Sequence, residues 1–152
     1  MMDGSAVPGA ARPGLDLNGF LCFALYSANH AFGRLYRSLL EPLGLTYPQY
    51  LVLVVLWDKD DQKVSALGHR LFLESNTLTP LLKRLEAMGL VTRARDPGDE
   101  RQVRIRLTDA GRALKAEAEA IPGCVLAAAG LDAEQARALT GAIQALRDTL
   151  KG

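Results

Sequence analysis

The chain has 152 residues, of which 49% are hydrophobic and 23% charged, the composition of an ordinary globular domain. With 18 Lys and Arg against 17 Asp and Glu, the net charge is +1. This balance excludes a generally basic protein that coats nucleic acid. Residues 1–14 are rich in Gly, Ala and Pro and predict a disordered tail. Residues 15–152 are then expected to form a single domain with a proper core.

The chain shows no sign of export or membrane insertion. Its first 15 residues lack the apolar segment of a secretory signal, and no apolar run approaches the roughly 18 residues of a membrane span. We therefore expect a cytoplasmic protein without a membrane partner, with Cys22 and Cys124 kept as thiols. Neither cysteine belongs to a CxxC pair, and His30 and His69 have no ligand spacing. No metal site or other cofactor is expected.

The first predicted helix begins at Asp16 or Asn18, either of which can cap it, and ends near Leu40, before Pro42 and Gly44. Its apolar residues occupy more than one stripe. A helix that is apolar on several sides must be buried on several sides. In a small domain, a partner subunit is the expected cover.

The second predicted helix begins with Thr46 as its cap and Pro48 in its first turn. Its run QYLVLVVLW is also compatible with a strand, but the cap and the proline favour a helix. Residues 58–63 are expected to form a polar loop, followed by a short helix over 64–72.

A fourth helix is predicted between Ser75, as its cap, and Gly89, as its stop signal. Two strands follow, over 90–95 and 103–107, joined by a turn at 96–99. In the second strand, apolar residues alternate with arginines, the pattern of a half-buried strand.

Two more helices complete the predicted order. Thr108 is expected to cap a fifth helix that runs to about Ile121, with a break at Pro122 and Gly123. Asp132 is expected to cap a sixth. That helix carries a narrow apolar stripe suited to packing against another helix, formed by Leu139, Ile143, Leu146 and Leu150.

Helix, turn, helix and a two-stranded hairpin together form a geometry that places one helix in the major groove of double-stranded DNA. The outer face of the fourth helix carries short polar and basic side chains, which read base edges. Between Lys83 and Arg106, seven Lys and Arg against four acids give a local charge of +3. The predicted DNA-binding residues are Ser75, Asn76, Thr77, Thr79, Lys83, Arg84, Asp99, Arg101 and Arg104.

The run NTLTPLLKRLEAMGLVTRARDPGDERQVRIRLTDAG, with its DxR…LT…G wing signature, resembles the multiple-antibiotic-resistance regulator (MarR) family. The resemblance covers residues 15 to about 150. It implies a mostly α (α+β) winged helix-turn-helix fold with a two-stranded wing and terminal helices that form a homodimer. Residues 15–45 and 109–152 would be the dimerisation helices, and residues 46–108 the DNA-binding region. The implied activity is transcriptional repression at a near-palindromic operator, and no enzymatic activity is expected.

Tyrosines accompany Cys22, which lies in the first two turns of the first predicted helix. Tyr26 is one turn beyond it, and Tyr36 and Tyr47 are further phenols in aliphatic surroundings. Phenolic hydroxyls donate hydrogen bonds, and a thiolate accepts them. A plain buried cysteine is the alternative.

The segments CFALY and LYRSLLEPLGLTYPQYLVLVVLW are similar to the organic-hydroperoxide-resistance repressor (OhrR) branch of the family. This resemblance implies that Cys22 senses organic hydroperoxide and that Tyr36 and Tyr47 hydrogen-bond to it across the dimer. Cys124 makes the chain look like the two-cysteine members, in which a second thiol traps the oxidised one.

Two other functions stay open at this stage. One is a MarR-type regulator that responds to a phenolic or drug-like ligand. The other, from a different class, is a thiol peroxidase that uses both cysteines. The predicted wing argues against the peroxidase, because a two-stranded arginine hairpin beside a polar helix serves DNA binding.

Overall fold

The structure is a computed structural model that describes residues 14–152. The predicted tail, residues 1–14, lies outside this described part except for Gly14. The described part of the chain divides into two compact units, a first unit that ends at Arg34 and a second unit that spans residues 35–152. Helix α1, Leu21–Leu40, begins in the first unit and ends in the second.

The first unit contains a short turn before α1. Asp16 caps a 3-10 helix, Leu17–Gly19, and its side chain accepts a hydrogen bond from the Asn18 N–H at 3.2 Å. Phe20 is extended, with ψ of 119°. The prediction that α1 begins at Asp16 or Asn18 is therefore wrong, because this extended residue separates the capped turn from the helix.

The second unit is built mainly from helices around one core. Thr46 and Gln49 form a capping box at the start of α2, which confirms the predicted helix. The helices of this unit are α2 (Tyr47–Asp58), α3 (Val64–Leu71), α4 (Ser75–Ala87), α5 (Asp109–Ala118), α6 (Ile121–Ala129) and α7 (Ala133–Lys151).

The predicted break at Pro122 and Gly123 is wrong. Both residues lie in the first turn of α6, where proline is favoured because that turn has unpaired N–H groups in any helix. The break instead lies at residues 119–120, between the end of α5 at Ala118 and the start of α6 at Ile121. Asp132 caps α7 as predicted and forms a capping box with Gln135.

The sheet has three antiparallel strands in the order β1-β3-β2: β1 (Gln62–Lys63), β2 (Val91–Asp96) and β3 (Asp99–Leu107). Strand β2 pairs with β3 from Val91 opposite Leu107 to Arg95 opposite Val103. We call β2, β3 and the turn between them the wing. The polar loop predicted over 58–63 is wrong at its end, since Gln62 pairs with Ile105 there.

The core lies between α2, α3, α4 and the sheet. Its largest fully buried side chains include Leu53, Leu67, Leu82 and Ile105. Burial of a leucine of this kind stabilises the fold by about 1.5–3 kcal/mol, so these contacts fix the orientation of α4. Together the mostly helical chain and the small sheet form a winged helix, which confirms the predicted fold class.

Within residues 14–152, no single helix is long and apolar enough to cross a membrane. Two helical segments that meet at a bend, Leu21–Leu43 and Tyr47–Asp58, are together long and apolar enough by length and composition alone.

Candidate functional sites

Helix α4 presents a polar face on the outside of the second unit. Leu78, Leu82 and Leu85 are buried, and these three positions recur at helical spacing. All six predicted base-reading or phosphate-binding residues of this helix are exposed: Ser75, Asn76, Thr77, Thr79, Lys83 and Arg84. The arrangement leaves one side of α4 free for contact with another molecule.

The two ends of α4 differ from each other in how they are capped. Glu74 is the N-cap and makes no side-chain cap hydrogen bond, so the prediction that Ser75 caps the helix is wrong by one position. At the other end Gly89 has a φ of 76°, and its N–H donates to the Glu86 carbonyl at 2.9 Å. This left-handed position favours glycine, as predicted.

An ion pair that sequence reasoning missed ties α4 to the wing. The Glu86 carboxylate accepts hydrogen bonds from the Arg93 backbone N–H at 3.2 Å and from the guanidinium Nε and Nη2 atoms at 3.3 and 3.2 Å. Arg93 is therefore engaged within the protein. An acid seven residues before an arginine, across a glycine stop, is the only sequence signal for this contact.

The wing tip carries an exposed arginine beside an acid. Asp99 Oδ1 accepts from the Arg101 N–H at 3.1 Å and lies 3.4 Å from Arg101 Nε. The Arg101 side chain is 91% exposed. Arg104, on the same strand, is only 29% exposed and pairs with Asp96 and Asp61. Its role as a DNA contact stays a prediction, and these ion pairs favour a role inside the wing.

Tyr36 and Tyr47 come together at the junction of α1 and α2. Their ring centroids are 4.4 Å apart, and Tyr50, which sequence reasoning missed, lies 5.9 Å from Tyr36 and 6.4 Å from Tyr47. Burial, and then the neighbouring phenols, raise the pKa of Tyr36 to about 12. Burial also raises the pKa of Tyr47. Both hydroxyls therefore stay protonated at neutral pH and are available as hydrogen-bond donors.

The two thiols are both exposed. Cys22 lies in the first turn of α1, within the first unit. Cys124 lies in α6 of the other unit, where its N–H donates to the Ala120 carbonyl at 3.2 Å. Exposure makes each thiol accessible to a soluble oxidant. The pairing of Cys22 with Cys124, and its contact with the tyrosines, stay predictions.

The tyrosine cluster predicts a loss of stability at alkaline pH. Since the pKa of Tyr36 rises from 10.0 to about 12 on folding, the unfolded chain releases this proton first. The contribution of the protonated Tyr36 hydroxyl to the free energy of unfolding is complete below pH 10 and is lost as the pH rises towards 12. Urea unfolding at pH values across this range should show a smaller decline for Tyr36→Phe than for the wild type. Equal declines in the wild type and in Tyr36→Phe would contradict the assignment.

Comparison with known proteins places this geometry in a family. Residues 34–118 match the family model described as transcriptional regulator SarA/Rot. The chain belongs to this family of MarR-type winged-helix transcriptional regulators. The regulator MarR of E. coli, solved as a mutant with operator DNA, has 25% sequence identity and a TM-score of 0.75 over 83% of this chain and 92% of that one.

Two curated relatives cover most of the chain. The HTH-type transcriptional regulator TtmR of Methylorubrum extorquens (strain PA1) is 56% identical over 135 residues, which are 89% of this chain and 69% of that protein. The organic hydroperoxide resistance transcriptional regulator of Bacillus subtilis (strain 168) is 43% identical over 136 residues, which are 90% of this chain and 92% of that protein. Both relatives are named as transcriptional regulators.

Solved structures of AbfR, from Staphylococcus epidermidis, are also similar. Reduced AbfR bound to DNA has 41% identity and a TM-score of 0.74, over 86% of this chain and 90% of that one. Disulfide-formed AbfR has 40% identity and a TM-score of 0.64, over 83% of this chain and 88% of that one.

Proposed function

We propose that this chain is a redox-sensing repressor that binds operator DNA as a reduced homodimer and is released when organic hydroperoxide oxidises Cys22. The exposed polar face of α4 beside the wing carries the proposal, because a recognition helix in the major groove needs such a face. The similarity to reduced AbfR bound to DNA supports DNA as the partner.

Exposed apolar side chains support the homodimer. In the first unit these are Leu21, Tyr26 and Phe32 on α1, and in the second they are Leu139, Ile143 and Leu150 on α7. Exposed apolar surface of this kind marks protein–protein interfaces. We assign residues 15–45 and 109–152 to dimerisation, and residues 46–108 to DNA binding.

The oxidation proceeds in two balanced steps. The Cys22 thiolate attacks one oxygen of the hydroperoxide, the O–O bond breaks, and the alkoxide leaves as an alcohol after taking a proton. Cys22 is now a sulfenic acid. The Cys124 thiol then attacks that sulfur, water leaves, and a disulfide forms. The similarity to the Bacillus subtilis hydroperoxide regulator and to disulfide-formed AbfR supports this sequence.

The proposed release of DNA depends on the distance between Cys22 and Cys124. A disulfide needs Cα atoms within about 7 Å of each other. If the two thiols are further apart in the reduced dimer, closure drags one helix against another and changes the spacing of the two recognition helices. DNA binding with and without organic hydroperoxide, followed by gel shift, tests the proposal. A complex that survives oxidation of Cys22 would overturn it.

A phenolic or drug-like ligand is the second candidate signal. An open cavity of about 510 Å³ in the second unit is lined by Tyr50, Trp57, Lys115 and Glu119, among others. Aromatic walls with a few polar groups suit a small aromatic molecule. Release of DNA by hydroperoxide alone, with no ligand present, separates the redox proposal from this one.

The wing tip provides a test of the DNA contacts. Arg101→Ala should weaken operator binding on the order of tenfold or more if Arg101 reads a base edge in the groove. Wild-type affinity should also fall steeply with rising salt, because basic side chains displace counterions from phosphates. Arg137→Ala, at an exposed position on α7 outside the region assigned to DNA contacts, is the charge-matched control. Once gel filtration shows that this variant is still a dimer, it should bind like the wild type. Undiminished affinity in Arg101→Ala would show that the wing tip is only a solvated turn.

A further inference from the structure

Asp61 holds an unusual position at the base of the wing. It has a φ of 56°, a left-handed conformation that non-glycine residues rarely adopt and that Asp and Asn tolerate best. Its Oδ1 atom is shielded from solvent and lies 3.1 Å from Arg106 Nε and 3.6 Å from Arg104 Nε. These contacts are ion pairs, since among the described residues no donor meets both the distance and the angle of a hydrogen bond to Oδ1.

The backbone around Asp61 is held in place by its neighbour. Asp60 Oδ1 accepts hydrogen bonds from the Asp61 N–H at 2.8 Å and from the Leu107 N–H at 2.9 Å. Asp60 Oδ2 also lies 3.6 Å from an Arg112 nitrogen. The turn is thus fixed to the end of β3 by Asp60, independently of the contacts that the Asp61 carboxylate makes with the two arginines.

Asp96, at the end of β2, contacts Arg104 of β3 from the side of the sheet opposite to β1. Its Oδ1 accepts from the N–H groups of Gly98 at 2.7 Å and Asp99 at 3.2 Å, and its Oδ2 lies 3.2 Å from Arg104 Nε. The Gly98 hydrogen bond, followed by the charges of Lys63 and Arg104 against an opposing desolvation, lowers the pKa of Asp96. The side chain of Arg104 therefore lies between two carboxylates, one from the loop and one from the wing turn.

We propose that Asp61 is a positioning residue for operator binding: it holds Arg104 and Arg106 and so sets the angle of the wing that carries Arg101. This inference rests on the proposed DNA binding. Arg101 lies three residues before Arg104 on β3, about 10 Å along the strand at about 3.3 Å per residue. Since β1 pairs with β3 at only two positions, the strand pairing alone restrains the wing weakly. A rotation about this base therefore displaces Arg101 at the wing tip further than it displaces Arg104, because Arg101 lies further from the base.

The sign of the effect distinguishes positioning from simple electrostatics. Asp61→Asn removes one negative charge close to DNA, so electrostatics alone predicts tighter binding to every sequence. Asparagine keeps the volume and tolerates the left-handed backbone. Electrostatics alone therefore leaves the ratio of operator affinity to random-duplex affinity unchanged. Positioning predicts that this ratio falls on the order of 3- to 10-fold, the size of coupling between contacting side chains.

Asp58→Asn is the matched control for this experiment. Asp58 also pairs with an arginine, Arg70, but it is more exposed and lies at the end of α2. The same charge change there should leave the affinity ratio at the wild-type value. The operator probe is a duplex selected by the wild-type protein from a randomised library, and urea unfolding checks that each variant is folded.

Arg104→Gln provides a second, independent measurement. If Arg104 acts within the wing, this variant should lower the affinity ratio while keeping the wild-type salt slope. Loss of a phosphate contact would instead reduce that slope by about one. Its effect should also fail to add to that of Asp61→Asn, since both variants break the same contact.

Opposite results overturn the inference. An Asp61→Asn protein that binds operator and random duplex equally more tightly would show that Asp61 acts only through its charge. Additive effects of the two variants would show that Asp61 and Arg104 act independently, and a reduced salt slope in Arg104→Gln would place Arg104 on the DNA. A wild-type chain that selects no duplex would overturn the proposed function itself, which is a different outcome from either.

Discussion

Replacing Cys22 with serine is expected to abolish release by organic hydroperoxide while leaving DNA binding intact. Serine keeps nearly the same volume and removes the thiolate, which is the nucleophile. Cys22 is exposed, so the exchange creates no cavity and leaves the core of the second unit unchanged. A gel-shift titration with hydroperoxide should show release of the wild type and a complex that persists in Cys22→Ser. Release of the variant at the wild-type peroxide concentration would place the sensor elsewhere.

Cys124→Ser is the informative partner of this variant. It should still be oxidised at Cys22, but without a second thiol the sulfenic acid is free to react onward to irreversible sulfinic acid. Non-reducing electrophoresis after one equivalent of hydroperoxide should show a disulfide in the wild type and in neither variant. If the bond joins two subunits, the band has the mass of a dimer. A wild type that yields only sulfenic acid would remove Cys124 from the mechanism.

Much of the helical architecture follows from local signals. Thr46, Thr108 and Asp132 each precede a helix and accept a hydrogen bond from an N–H in its first turn, and a capping residue needs only its near neighbours. The buried leucines of α4 likewise follow from a 3.6-residue period. Signals of this kind operate within one or two turns, so sequence alone locates them.

Long-range contacts were not predictable in the same way. Strand β1 has two residues, too few for an alternating pattern, and it exists only because Gln62 meets Ile105. The pairing of Asp61 with Arg104 joins residues 43 positions apart. No local pattern marks either contact.

The ambiguity of arginine limits what sequence can say about the DNA-binding face. An arginine beside DNA and one that holds two strands together have the same spacing in an alternating strand. In the structure the two side chains differ in burial: Arg101 is 91% exposed, whereas Arg104 is 29% exposed and pairs with Asp96 and Asp61. We therefore propose the exposed wing tip and the outer face of α4 as the first DNA contacts to test, while the contact by Arg104 stays a prediction.

Gly111→Ala is expected to destabilise the fold on the order of 3 kcal/mol or more, because the added methyl group overlaps with backbone atoms that cannot move independently. A Cβ at this position would lie 2.1 Å from the Leu90 carbonyl oxygen and 3.2 Å from Leu107 Cδ2. The same residue accepts a hydrogen bond from Trp57 Nε1 at 2.9 Å, and its N–H donates to Thr108 Oγ1 at 3.0 Å. Any shift that relieves the clash therefore disturbs α2, the wing and α5 together.

Urea unfolding followed by Trp57 fluorescence measures this effect directly, since Trp57 is the only tryptophan and contacts Gly111. The protein concentration must be kept constant and the thiols reduced, because subunit association and disulfide formation both change the midpoint. Gly123→Ala is the matched control: a Cβ there meets nothing within 4 Å, and a helical alanine should stabilise by up to about 1 kcal/mol. Equal midpoints for Gly111→Ala and the wild type would show that the junction between α5 and the wing yields to a methyl group, and would contradict the prediction.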